Sequence, residues 1–257
     1  MNETPGPDGR EESLAERLAR IETLLTPARD ELSHAERSLE PAWRRVTRGE
    51  PRWASTGAVV TVVAFQFLLP HRLSVQPRWL MPVVELLLLA ALVAGNPHRI
   101  ERRSGGYRAL GLVLTLAIGV ANGYSAARLV VGLVRGTEPA PAATLLLTGG
   151  AIWLINVVIF GLLYWELDRG GPAARAQGER DVPDFLFVQM QSPELAPPHW
   201  EPAYLDYFYL SFTNSTAFSP TDVMPVTRWA KMLMLLQSVV SLMTVVLVVA
   251  RAVNILK

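Results

Sequence analysis

The sequence predicts an all-α fold, a polytopic transmembrane helical bundle of five spans with one re-entrant or interfacial helix and N-terminal amphipathic helices. Three observations predict it. Half of the 257 residues are hydrophobic and 18% are charged, with a mean hydropathy of +0.24, whereas a soluble domain carries about 25% charged residues. Five apolar stretches are long enough, at about 1.5 Å per helical residue, to cross all or most of a hydrocarbon layer roughly 30 Å thick. The segments joining them alternate between rich and poor in Arg, the pattern that orients a membrane chain.

Taken in order, residues 1–12 are polar and acidic with no basic stretch leading into an apolar core, so no cleavable signal peptide is expected. In the tail, residues 1–50, Leu14, Leu18, Ile21, Leu25, Ala28, Leu32, Ala35 and Leu39 recur at alternating steps of four and three, the seam of a coiled coil. Pro27 interrupts that seam and Thr26 is a fitting N-cap. Two amphipathic helices in sequence are therefore expected, lying on the membrane surface, on the rest of the chain or on an oligomeric partner.

The spans are placed at residues 53–69, 79–95, 109–134, 142–167 and 229–256, each bounded by Pro, Gly or Arg. The first four make a bundle, residues 51–167, and the first two are short enough to stand nearly upright. The tail carries Arg37, Arg44, Arg45, Arg48 and Arg52, and the second connection Arg99, Arg102, Arg103 and Arg108. The first connection holds only Arg72 and Arg78, the third only Arg135. This asymmetry puts the N-terminus in the cytoplasm, and the fourth connection with it. The preference for Arg over Lys, with abundant Ala, Gly and Pro, points to a bacterial plasma membrane. Residues 168–202 open on Gly170, Gly171 and Pro172 and hold five more prolines, so they are expected to be mostly loop. Residues 203–257 begin with an aromatic run, Tyr204, Tyr207, Phe208, Tyr209 and Phe212, too short for a span and suited to a re-entrant or interfacial helix, before the last span.

Ionisable side chains inside a span are expensive and mark functional or packing sites. Glu85, Arg128 and Arg251 each stand about six residues from the outer end of their spans, roughly 9 Å deep at about 1.5 Å per residue. Glu85 is expected to pair with Arg128 or Arg251, or to be buried alone while the arginines reach for the surface. Gln237, Ser241, Thr244 and Arg251 share one face of the last span. Thr115, Gly119 and Asn122 share a face of span three, and Gly149 and Asn156 a face of span four, with Glu166 near its end. Such faces line either a pathway or a seam between helices. Gly119 and Gly123, and Gly132 and Gly136, have the spacing that permits close helix approach.

Residues 206–257 read DYFYLSFTNSTAFSPTDVMPVTRWAKMLMLLQSVVSLMTVVLVVARAVNILK. A short aromatic helix, a Thr-rich turn, an Asp with Pro three residues on, and a long apolar helix ending in Ala-Arg resemble the pore helix, filter and inner helix of the potassium-channel superfamily. The likeness covers about a fifth of the chain. It implies an oligomeric pore lined by Ser211, Thr213, Asn214, Ser215, Thr216, Ser219 and Thr221, with Asp222 as a charged ring and Gln237, Ser241 and Thr244 along the inner helix. A monovalent cation would be its cargo. The family's filter reads Thr-Val-Gly-Tyr-Gly-Asp, and the matching stretch here, Thr216 to Asp222, lacks both glycines and contains Pro220. Potassium selectivity by that filter is therefore not expected. The whole chain also looks like a group of bacterial multi-span proteins, a likeness that supplies no activity.

With no Cys, four scattered His, no Gly-rich phosphate loop and no nucleophile elbow, neither cofactor, metal nor enzyme activity is expected. No basic face interleaved with aromatics points to nucleic acid. The expected partners are the lipid bilayer and further copies of the chain. Three functions remain open: an ion-channel-like pore, a non-conducting scaffold or regulatory protein, and a small secondary transporter with Glu85 as its coupling group.

Overall fold

The computed structural model describes residues 42–47, 49–95, 98–100, 105–180, 182–197, 199–216 and 222–256. The heptad-like seam of the tail, and Ser219 and Thr221, lie outside the described residues. The chain is mostly helical. Helix α1 spans Trp53–Leu68, α2 Leu80–Gly95, α3 Gly105–Val134 and α4 Ala142–Leu167. A 3-10 turn, Asp168–Gly170, leads to α5, Pro172–Ala176, then β1, Phe185–Phe187, α6, Val188–Gln191, and α7, Tyr204–Thr216. Strand β2, Val223–Pro225, precedes α8, Arg228–Leu256.

The five apolar stretches are all helices, and three of them, α3, α4 and α8, are long and apolar enough to cross a membrane. That is compatible with an integral membrane protein. Helices α1 and α2 have 16 residues each, roughly 24 Å at about 1.5 Å per residue. On length alone, three spans stand rather than five.

Helix α4 is the axle. It is mainly apolar with little difference between its sides, and 61% of its 18-residue apolar stretch is buried, against 44% for that of α3 and 28% for that of α8, as expected of a helix wrapped by neighbours. Glycine sets two of its contacts. A Cβ on Gly161 would lie 3.1 Å from the Phe208 Cα, and one on Gly149 would lie 2.7 Å from Val248 methyls. These glycines bring α7 and α8 against α4. The spaced pairs singled out in the sequence do not act this way within the chain: Gly123 has nothing within 4 Å of such a Cβ. Gly136 instead ends α3 in a left-handed conformation, φ +67°, while the N–H of Thr137 returns to the Gly132 carbonyl at 3.0 Å.

The connections sort to two ends. At one, Arg99 Nη1 donates to the Gly49 carbonyl at 2.7 Å, the Arg52 N–H to His98 O at 3.2 Å and the Thr47 N–H to Ala176 O at 2.8 Å. The segment before α1, the α2–α3 connection and the chain after α4 therefore meet there. At the other end an ion pair between Arg72 and Glu138 ties the α1–α2 connection to the α3–α4 connection. Residues 42–50, grouped above with the tail, belong to the same compact unit as the helices, Ala42–Lys257.

The 168–202 connection, expected to be mostly loop, folds into short ordered elements. Strand β1 pairs antiparallel with β2, Phe185 opposite Pro225 and Phe187 opposite Val223. Aromatic packing explains the order: Phe185 lies edge-on to Tyr207 and Trp229, with centroids 6.4 and 5.8 Å apart, and Phe187 edge-on to Tyr207 at 5.3 Å. Helix α7 starts beside these rings and runs into the bundle, where Asn214 Nδ2 donates to Met234 O at 3.0 Å. By Val226 the chain is back beside Asp184, whose carbonyl accepts the Val226 N–H at 2.8 Å. The chain thus leaves the β1–β2 pair in α7, which packs between α4 and α8, and returns to it at β2.

Candidate functional site

Polar side chains collect in three places. The first lies between α4, α7 and α8. Gln237 is fully buried; its Nε2 donates to Ser211 Oγ at 2.6 Å and Ser215 Oγ at 2.7 Å, and its Oε1 accepts from Asn214 Nδ2 at 2.8 Å and from the Tyr164 hydroxyl. Ser211 Oγ donates to Val157 O at 2.6 Å, and Asn156 Nδ2 to Ser241 Oγ at 3.2 Å. The hydroxyls of Thr213 and Thr244 bond carbonyls of their own helices. Thr216 does the same and is exposed, as is Asp222. The expected pathway residues Asn214, Ser215, Gln237, Ser241 and Thr244 are therefore buried within the chain, where the first four join α4, α7 and α8 by hydrogen bonds. A period of three and four reveals a polar face but not what it faces.

The second collection closes the end at residues 42–52. Arg175, buried, donates from Nη2 to Glu50 Oε1 at 2.6 Å and from Nη1 to Trp165 O at 2.6 Å. Trp165 Nε1 donates to the other Glu50 oxygen at 2.6 Å. Burial alone would lower the Arg175 pKa, but Tyr207 and the Glu50 and Asp168 carboxylates outweigh it and raise the value. Asp168, with no exposed surface, accepts from the Asp184 N–H at 2.8 Å and the Tyr207 hydroxyl at 2.6 Å. Arg169 takes a left-handed conformation, φ 50°, held by its N–H on Asp184 Oδ2 at 2.9 Å and its Nη1 on Trp43 O at 2.8 Å. In the sequence these arginines read only as orienting surface charge.

The third place is a cavity of about 320 Å³ inside the α1–α4 bundle, opening toward the same end. Val59, Leu89, Leu92, Leu114 and Leu162 line its depth, while the exposed Arg108, Glu179 and Arg180 stand at its mouth. Two charged side chains in its wall are more than nine-tenths buried: Arg52, 7% exposed, and Glu166, 9%. Among the described residues neither side chain has a hydrogen-bond partner, and no ion pair within 4.0 Å joins them. They are close enough to feel one another, however. Burial lowers the Arg52 pKa, and the Glu166 charge opposes that shift.

Two glycines make room for the Glu166 side chain. A Cβ on Gly111 of α3 would lie 2.7 Å from Glu166 Oε1. Gly171, at φ +98°, turns the chain where a Cβ would lie 3.0 Å from the Glu166 carbonyl. A carboxylate in the last turn of an apolar span, followed by Asp168, Arg169 and Gly-Gly-Pro, was the available sequence signal. Arg52 gave none, because its burial depends on the segment before it folding back.

Glu85 lies further into the bundle and is fully buried. Its Oε1 accepts from Gln66 Nε2 at 2.9 Å, so its partner is an amide on α1 and not Arg128 or Arg251. Arg128 is exposed beside the Tyr124 ring, 6.0 Å from its centroid, and Arg251 is half-buried with its Nε unpaired. Glu85 Oε2, Gln66 Oε1 and Asn122 Oδ1 are buried acceptors without donors. Gln66 and Asn122 line a space of about 20 Å³, enough for one water. Val62, Ile118 and Ile159, one helical turn along from the cavity-lining Val59, Leu114 and Leu162, are buried in the core. Among the described residues no three His, Asp or Glu side chains converge as a metal site would require. Comparison with known proteins found no match to a family, a curated protein or a solved structure.

Proposed function

We propose that the protein is a small membrane carrier that takes a solute into the α1–α4 cavity, with Glu85 as its coupling carboxylate. One observation supports the reading above the others: a ligand-sized cavity, open to one end and lined by aliphatic side chains at depth, with two buried charges in its wall that make no hydrogen bond among the described residues. Cavities of roughly 300 Å³ or more, mainly apolar with few polar groups, are the usual form of small-molecule sites. An acid buried inside an apolar helix is a functional candidate of the kind that proton relays in transporters use. On this reading all five apolar helices lie in the membrane, α7 is re-entrant, and the protein is not an enzyme. The clustering of Arg at the 42–52 end supports a cavity mouth on the cytoplasmic side of a bacterial plasma membrane.

The test is solute counterflow in proteoliposomes, screened with labelled amino acids, monocarboxylates and amines. Saturable counterflow that is lost in Gly111→Leu, which fills the cavity, supports a carrier. Absence of any counterflow defeats it.

The α4–α7–α8 arrangement favours a second reading. A re-entrant helix between two long helices is the form of a pore module, and α8 leaves Leu235, Leu236, Val239, Leu242 and Val246 exposed for lipid or further copies. A cation current in planar bilayers that falls in Asp222→Asn would support that homo-oligomeric pore. Neither counterflow nor current would leave the scaffold reading.

A further inference from the structure

The charges inside the cavity say more than that something binds there. Arg52 and Glu166 are both nearly withdrawn from solvent and both line one cavity, and among the described residues neither side chain makes a hydrogen bond or an ion pair within 4.0 Å, although each feels the other's charge and Glu166 also that of Arg175. A ligand carrying only a negative charge would satisfy the guanidinium and leave a carboxylate buried beside it. A ligand carrying only a positive charge would do the reverse. Since a buried charge without a partner is strongly unfavourable, the pair selects a molecule that carries both signs. The rest of the lining fits an apolar body, because Val59, Leu89, Leu92, Leu114 and Leu162 surround the remaining volume. A cavity of about 320 Å³ sits at the small end of the range for ligand pockets.

Resting on the carrier reading, we infer that the cavity binds a zwitterion with an apolar substituent, its anionic group on the Arg52 guanidinium and its primary ammonium on the Glu166 carboxylate. Arg offers a planar fork to a carboxylate or phosphate, which favours those two anions. The ammonium matches a carboxylate that has no other donor among the described residues. Two sources present this chemistry, a free amino acid and the headgroup of an aminophospholipid entering from the bilayer.

The experiment measures binding to the full chain purified in detergent. Isothermal titration with L-leucine and L-phenylalanine is compared with N-acetyl-phenylalanine, which lacks the cation, and phenylalanine amide, which lacks the anion. In parallel, the melting temperature is followed in nanodiscs of phosphatidylglycerol with and without phosphatidylethanolamine. Free-solute binding predicts that each singly charged analogue binds about 10- to 100-fold more weakly than phenylalanine, each lost charged contact being worth that much. Lipid binding predicts stabilisation by phosphatidylethanolamine and silence toward the amino acids. In either case Arg52→Gln and Glu166→Gln must each abolish the preference for the zwitterion, and the double variant, which leaves no buried charge unpaired in the cavity, serves as the folded control.

Analogues that bind as well as phenylalanine, a lipid effect that persists in Arg52→Gln and Glu166→Gln, or no response to any probe overturns the inference. Zwitterion binding without counterflow would remove the carrier reading and leave the site. Counterflow of a monocarboxylate or amine, blocked by Gly111→Leu and without zwitterion preference, would do the opposite.

Discussion

Gln237, between α4, α7 and α8, has both ends of its amide engaged by neighbouring side chains, whereas the Glu166 side chain, nearly as buried in the α1–α4 half, has no hydrogen bond among the described residues. Both are polar groups withdrawn from water. Saturation separates them: a polar group whose bonds are complete holds helices together, while one whose bonds are open is available to a ligand. Position within a span does not tell the two apart, and neither does residue type. The bonds do.

Four substitutions test that distinction, the largest effect first. Arg175→Met strands the buried Glu50 carboxylate and should cost about 3–5 kcal/mol, seen as loss of folded protein in fluorescence-detected size exclusion. Gln237→Leu removes several interhelical bonds at once, each worth about 0.6 kcal/mol in a membrane protein, so a loss of about 2 kcal/mol is expected. The thermal midpoint in detergent measures it, and an unchanged midpoint would mean the amide network contributes little. Gly161→Ala pushes a methyl to 3.1 Å from the α7 backbone at Phe208 and should cost about 1–3 kcal/mol by overpacking, read in the same assay. Glu166→Gln is the sharpest contrast with Arg175→Met. It neutralises a buried carboxylate that makes no hydrogen bond among the described residues and is opposed only by the charges of Arg175, Arg52 and Arg108, none within ion-pair distance, so the midpoint should stay within about 1 kcal/mol of wild type. A collapse like that of Arg175→Met would show that Glu166 holds the fold and is not a free group in a binding cavity.

Much of the helical layout was legible in the sequence. The positions of α1, α2, α4 and α8 follow from apolar length and from Pro, Gly and Arg at the ends, and α3 only begins four residues sooner than residue 109. The aromatic run from Tyr204 marked α7, because rings that must pack at a membrane end are unlike either a loop or a span. What could not be read was partnership. Gln237 and Ser241 look the same from their spacing whether they face water or α4, and the decision lies in Gly161 and Gly149, which admit α7 and α8 so closely that the polar stripe is enclosed. The pairing of Glu85 was misplaced because equal depth suggested Arg128 and Arg251, whereas the fold sets Gln66 of α1 beside it. Arg52 and Glu166 stayed hidden for a related reason, since a charge next to a span end is ordinarily solvated.

The unequal burial of the long helices also sets how freely each can drift. With 61% of its 18-residue apolar stretch buried, α4 meets a neighbour on most sides, so a random substitution there will usually collide or leave a gap; with 28% of the same length buried, α8 presents most of its circumference to whatever apolar medium surrounds it, and Leu, Val, Ile, Met and Phe are nearly interchangeable on that side. In a saturation mutagenesis library, α4 would read as a near-solid block of constraint, and α8 as a thin helical thread of constrained positions, Ala230, Met234, Gln237, Ser241, Thr244 and Val248, running through permissive sequence.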